Sequence, residues 1–219
     1  MTMKYQGIIF DFNGTLFFDN DKHERAWNAI SKLLRNKDIT EEELHGQLNG
    51  TPNVQNIRYL TNGKATPRQE EEYSLRKEEY YRKFCREDRK NFHLVFGAEE
   101  FFEKLKQQKI PFTIASASIK ENIDFFVESF HLDRWMDPEL IVYDDGTYEN
   151  KIAMFQKAAK NIGVKMEDIC IFEDSLSGIK NAYESGCRQI VVMCEKEKEQ
   201  QYQKMPGVIK TIQDFQGVS

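Results

Sequence analysis

The chain has 219 residues, 40% of them hydrophobic and 31% charged, with a formal net charge of -5. That balance excludes a disordered chain, suits one sizeable domain or a core domain with a smaller insertion, and argues against general nucleic-acid binding. No apolar run reaches the roughly 18 residues of a membrane span, and the N-terminus opens on polar residues, so neither a spanning helix nor a leader is expected and a cytoplasmic location follows.

The first apolar run, Gly7-Ile8-Ile9-Phe10, predicts a buried strand. From about Asp19 to about Phe92 the chain turns polar and helix-patterned, over Lys22 to Leu34, Glu41 to Leu48 and Pro67 to Lys90, with no convincing strand. Afterwards helices and strands alternate. Helical patterns cover Ala98 to Gln108, Lys120 to Phe130, Lys151 to Ile162 and Ser177 to Ser185. Between them run Phe112 to Ala115, Ile169 to Phe172 and Gln189 to Met193, with Leu140 to Tyr143 as a weaker strand. Such β/α alternation predicts an α/β doubly wound parallel sheet whose ligand site lies at the carboxyl ends of its strands. The helical stretch reads as an all-helical domain of residues 19–92, inserted into a core of residues 1–18 and 93–219. The charge run Glu195 to Lys204 reads as a solvated helix or loop.

Cys85, Cys170, Cys187 and Cys194 form no CxxC pair and read as core thiols, while His23, His45, His93 and His131 lack zinc spacing. The polar residues with chemical interest cluster differently: they follow strands. Asp11-Phe12-Asn13-Gly14-Thr15 follows the first, Ser116-Ala117-Ser118 the second, and Glu173-Asp174-Ser175 the fourth, with Lys151 opening a helix after the weak third. The serines should cap the next helix, whose first amides suit an anion. Adjacent acids after an apolar strand are costly unless a cation or donors compensate them. A nucleophile, a carboxylate-bound divalent ion and donors around a transferring group are what phosphoryl transfer requires.

These motifs resemble those of the haloacid dehalogenase-like superfamily, in its branch with a helical cap between the first two motifs. Asp11-Phe12-Asn13-Gly14-Thr15 is similar to its DxDGT pattern, and Ser116, Lys151 and Glu173-Asp174 match the motifs that follow. The resemblance implies a Rossmann-like core, a phospho-aspartate on Asp11, and Mg²⁺ held by Asp11, the Asn13 carbonyl and the Glu173-Asp174 pair. It further implies that Ser116 and Lys151 serve catalysis and that Gly14, Thr15, Ala117 and Ser118 contact a small phosphorylated metabolite. The segments His23 to Trp27 and Leu48-Asn49-Gly50, with Lys77, resemble the cap of β-phosphoglucomutase and related sugar-phosphate hydrolases, which implies substrate handling by His23 and Lys77.

The chain departs from the pattern in three places. Asn53 stands where the cap would carry a phosphate-gripping basic residue. Lys151 lacks the usual Lys-Pro surroundings, leaving Lys120 as the alternative cation. Most important, Asn13 replaces the aspartate that transfers protons in the family, a function worth about 10²–10⁴-fold in general acid-base catalysis. The expected activity is a Mg²⁺-dependent phosphatase, with a β-phosphoglucomutase-like mutase or a weakly catalytic phosphometabolite-binding protein as alternatives.

Overall fold

The computed structural model of the chain describes residues 5–48 and 50–218, so Asn49 of the Leu48-Asn49-Gly50 stretch lies outside the described residues. The chain divides into two compact units, Met1–Phe18 with His93–Ser219, and Asp19–Phe92.

The first unit contains a six-stranded sheet of β1 (Gly7–Phe10), β2 (Phe112–Ile119), β3 (Val142–Asp144), β4 (Ile169–Glu173), β5 (Gln189–Met193) and β6 (Val208–Ile212). All pairings are parallel, in the order β3-β2-β1-β4-β5-β6. This is the doubly wound order, whose direction reverses at β1, and in sheets of this order ligands bind outside the carboxyl ends of the strands at that point. Every residue of β1 and β4 is buried, as expected for strands covered on both faces.

Two strands differ from expectation. Leu140 ends a short 3₁₀ turn begun at Pro138, so β3 starts two residues later, at Val142. Edge strand β6 is not apparent from the sequence, because its Val-Ile-Lys-Thr-Ile run is largely solvent-facing and carries no continuous apolar signal.

In the second unit, α1 (Asn20–Arg35), α2 (Glu41–Glu43), α3 (Asn53–Leu60) and α4 (Pro67–Glu87) are the α-helices, and α2 runs into a π-turn over Leu44–Leu48. The start of α4 is encoded locally: Thr66 and Gln69 form a capping box and Pro67 takes the first helical position. Trp27 and Ile30 of α1 pack with Ile57 and Leu60 of α3, each pair spaced three residues apart on one helical face. The first unit resumes with α5 (Ala98–Gln107), α6 (Lys120–Phe130), α7 (Lys151–Asn161), α8 (Leu176–Glu184) and the short α9 (Glu199–Tyr202). No described helix is long and apolar enough to cross a membrane.

Strand alternation sorts the core into two layers. Ile9, Ile171, Ile190 and Val192 pack with Phe155 of α7 and Ile179 of α8. Their neighbour Phe10 turns the other way, with ring centroids 5.3 Å from Phe102, 5.0 Å from Phe172 and 5.9 Å from Phe215. Such ring pairs contribute about 0.5–1.5 kcal/mol each beyond their buried area. Where the core chain departs and resumes, the Val95 amide donates to the Leu16 carbonyl at 2.8 Å, clasping the two passages together.

Candidate active site

The loop after β1 is held from both ends. The Asp11 amide donates to the Phe172 carbonyl at 2.9 Å, so this residue remains tied to β4 after β1 has ended. Phe12 is fully buried and stacks on Phe126 of α6 with centroids 4.1 Å apart. Its carbonyl accepts from the amides of Thr15, Leu16 and Phe17 at 3.2, 2.8 and 3.1 Å, which closes the turn. Gly14 sits at φ +78°, and a Cβ there would lie 2.2 Å from Asp174 Oδ2. Glycine is therefore required both by the backbone and by the approaching carboxylate.

Four charged groups meet beside this turn. Lys151 opens α7, whose first turn is capped by Asn150, and its Nζ lies 2.6 Å from Asp11 Oδ1 and 2.6 Å from Glu173 Oε1. Asp11 is 4% exposed and Glu173 fully buried. The second Glu173 oxygen accepts from the amides of Asp174 and Ser175, each at 2.8 Å, and from the Ser175 hydroxyl at 3.1 Å. Ser175 Oγ in turn accepts from the Gly178 amide at 3.0 Å and caps α8. A Cβ at Gly178 would stand 1.8 Å from Glu173 Oε1. The adjacent acids are thus divided by the turn: Glu173 folds back against the start of α8, while Asp174 approaches Gly14.

Asp11, Glu173 and Asp174 each offer an oxygen within 4.8 Å of the others. Burial pushes the Asp174 carboxyl well up from the usual range, reinforced by Glu173 and Asp11. Burial also raises Asp11, and Lys151 offsets only part of that. For Lys151 burial works against the ammonium, but Asp11 and Glu173 outweigh it and hold its pKa above the ordinary lysine range. One cation is not enough for three clustered carboxyl groups. The donors are hard oxygens and Gly14 leaves room for the Asp174 carboxylate, so the residues present fit a hard divalent cation.

Ser118 Oγ donates to Asn13 Oδ1 at 2.7 Å and Ser116 Oγ to the same atom at 3.4 Å. The Ser118 amide donates to Ser116 Oγ at 3.2 Å. The expectation that these serines cap a helix needs correction: β2 continues to Ile119, and α6 starts at Lys120 without a side-chain cap. The serines instead orient the Asn13 carboxamide. Ala117 between them is exposed. Thr15 is fully buried, and its hydroxyl has no hydrogen-bond partner among the described residues. Lys120, the alternative cation, pairs with Asp124 of its own helix at 2.7 Å.

The remaining expected site residues lie in the helical unit and meet one another. Lys77 Nζ is 2.7 Å from His23 Nδ1 and 2.9 Å from Glu78 Oε1, and only 3% of the Lys77 side chain is exposed. Asn53 Nδ2 donates to Glu78 Oε1 at 2.7 Å. The His23 ring stacks on Tyr81 at 4.1 Å, its Nε2 lies 3.3 Å from Asp19 Oδ2, and the Tyr81 hydroxyl donates to that same oxygen. Although Glu78 is buried, which opposes its charge, Lys77, His23 and Asn53 bring its pKa down to about 2. Lys77 is thus enclosed, although the helix that carries it is densely charged.

Two further residues shape the core cluster, Ser175 in its capping role and Gly178. The readable signal was a serine followed three residues later by a glycine, directly after the acid pair. A capping serine there fixes where α8 begins, and the glycine makes room for the side chain folding back over it.

Comparisons with known proteins agree with this architecture. A haloacid dehalogenase-like hydrolase of family IA, variant 3, from Entamoeba histolytica is 31% identical, with 97% of this chain and 95% of that chain covered and a TM-score of 0.89. CbbY from Rhodobacter sphaeroides, in complex with phosphate, shares 19% identity over 98% of this chain and 96% of its own, with a TM-score of 0.79. β-Phosphoglucomutase from Clostridium difficile shares 19% over 98% and 93%, with a TM-score of 0.77. At that identity the last two likenesses are of fold. The haloacid dehalogenase-like hydrolase family model matches residues 8–192, which include the whole carboxyl-end cluster and reach into every strand of the sheet except β6, and the chain belongs to that family.

Proposed function

We propose that the chain is a Mg²⁺-dependent phosphatase that hydrolyses a small phosphorylated metabolite, such as a sugar phosphate, through a phospho-aspartate on Asp11. The observation that carries this reading is the meeting of Asp11, Lys151, Glu173 and Asp174 at the carboxyl ends of adjacent strands, with three carboxylate oxygens within 4.8 Å.

In this reading Asp11, Asp174 and the Asn13 backbone carbonyl would hold the ion, with Glu173 bracing the acidic loop beside them. Bound there, Mg²⁺ would supply positive charge to neutralise the phosphoryl oxygens. The remaining work falls to the chain. An Asp11 carboxylate oxygen attacks phosphorus, and Lys151 both orients Asp11 and offers its ammonium to the equatorial oxygens. Ser116 and Ser118 position Asn13 and add hydroxyl donors, while Gly14 and Ala117 keep their stretches of backbone unobstructed. Thr15 supports the turn from inside. His23 and Lys77, joined in the helical unit, are assigned to the non-phosphate part of the substrate. Phosphatase chemistry is preferred to mutase chemistry because a mutase must protonate and deprotonate sugar hydroxyls in both directions, and Asn13 cannot do so.

Phosphate release from a panel of phosphorylated metabolites, with and without Mg²⁺, tests the reading. Asp11→Asn should lower turnover on the order of 10⁴–10⁶-fold, the scale seen when a nucleophile is removed. Turnover unchanged by Asp11→Asn would rule out the phospho-aspartate. Ligand binding without any Mg²⁺-dependent turnover would favour a binding protein.

A further inference from the structure

We infer that this site is selective for the leaving group, turning over phosphoanhydrides, acyl phosphates and activated aryl phosphates in strong preference to alkyl phosphates. The inference rests on the phosphoryl-transfer reading above and adds the chemical class of the substrate.

The selectivity originates at Asn13. This residue follows Asp11 by two positions, with Phe12 between them anchored against Phe126, and its side-chain oxygen receives the hydroxyls of Ser118 and Ser116. The carboxamide is therefore oriented as part of the site. Whatever else it touches, a carboxamide neither releases nor takes up a proton near neutrality. It can donate an N–H to a departing oxygen, but it cannot protonate one.

The other groups around Asp11 are already engaged. Lys151 is shared between two carboxylates at 2.6 Å each. Glu173 is fully buried, with both oxygens accepting hydrogen bonds. Asp11 is the nucleophile and Asp174 the assigned ion ligand. The two serine hydroxyls lie far outside the range of general acids at neutral pH. Nothing in this cluster is left to deliver a proton to a leaving alkoxide.

Within this cluster the chemistry balances in one way. An Asp11 oxygen forms the bond to phosphorus, and the bond from phosphorus to the leaving oxygen breaks with its electron pair. The leaving group departs as an anion and takes any proton from solvent. Carboxylates, phosphates and acidic phenolates leave so readily; alkoxides, those of ordinary sugar-phosphate esters included, leave so only slowly, which makes activated phosphates the preferred members of the metabolite class. In the second half, water attacks phosphorus without a carboxylate base beside it, the bond from phosphorus to the Asp11 oxygen breaks with its electron pair returning to the carboxylate, and the proton of the water goes to solvent. That step is slow, so the phosphoenzyme accumulates.

The test measures kcat/KM of the native chain with Mg²⁺ for acetyl phosphate, a series of aryl phosphates of graded phenol acidity, and glycerol phosphate. Expected are rates that climb steeply with leaving-group acidity and a rapid release of one product equivalent per chain from acetyl phosphate before slower turnover. In Asn13→Asp the ratio of acetyl phosphate to glycerol phosphate activity should fall on the order of 10²–10⁴-fold, the usual contribution of a general acid. If the native chain hydrolyses glycerol phosphate as readily as acetyl phosphate, and Asn13→Asp leaves the ratio unmoved, the selectivity is refuted while the phosphatase reading stands. If no probe is turned over and none labels Asp11, both readings fall.

Discussion

The carboxyl-end cluster of the core and the buried ionic cluster of the helical unit are built from similar side chains and reach opposite electrostatic states. In the helical unit Lys77, His23 and Asn53 converge on Glu78 and bring its pKa down to about 2, so the buried charges are matched from within. In the core, Lys151 faces Asp11, Glu173 and Asp174, and burial with mutual repulsion raises both aspartates. A buried ionic group that satisfies itself contributes to architecture, whereas one left with surplus like charge has room for a counter-ion from outside. The contrast explains why the core cluster reads as an ion-binding site, while in the helical unit Glu78 is a brace that fixes where Lys77 and His23 sit.

Lys151→Ala should separate the two clusters most strongly. Removing one partner of a buried ion pair typically costs about 3–5 kcal/mol, and here it leaves the carboxyl groups with no cation. Denaturant unfolding without divalent ions should show that loss, and added Mg²⁺ should restore more stability to the variant than to the native chain. Equal Mg²⁺ responses would mean that the ion does not share the carboxylates with Lys151.

The helical cluster is tested through acid. Glu78 has a folded pKa of about 2 against an ordinary 4.5, so its stabilisation is complete above the unfolded value and is lost as pH falls through the interval between them. That loss should amount to about 3 kcal/mol. Glu78→Gln should flatten this acid limb in unfolding measurements repeated across pH, and an unchanged limb would locate the titration elsewhere. The core aspartates carry the reverse sign, because their pKa values are raised: without a cation, their contribution declines as pH climbs.

The smallest effect concerns Gly178. Helix propensity alone says Gly178→Ala should stabilise by about 1 kcal/mol. The added Cβ would stand 1.8 Å from a Glu173 oxygen whose carboxylate is hydrogen-bonded on both sides. Overpacking of this kind costs about 1–3 kcal/mol, so the net change should be a loss. A gain in midpoint would show that Glu173 can relocate without penalty.

Much of the core was legible because β1, β4 and β5 are uninterrupted apolar runs, and their positions in chain order imply a shared carboxyl edge. Edge strand β6 and the late start of β3 were not legible, since a half-solvated strand and a short turn leave little hydrophobic signal. At the site, Asp11 and the acid pair were conspicuous as polar residues directly after buried strands. The division of labour between Glu173 and Asp174 was hidden, because adjacent acids look equivalent until a turn points them apart. The enclosure of Lys77 was hidden for a related reason: its partners come from α1 as well as its own helix, and a window of charged residues in α4 gives no hint of them.

The clasp between Leu16 and Val95 has a consequence for how such a chain can be rebuilt. The core itself brings together the two points between which residues 19–92 are spliced. The ring-closure entropy of that segment depends only weakly on its length, roughly as the logarithm of the number of residues. A shorter, longer or foreign helical cassette could be grafted between the same two anchors, and the parallel sheet would not have to register the exchange.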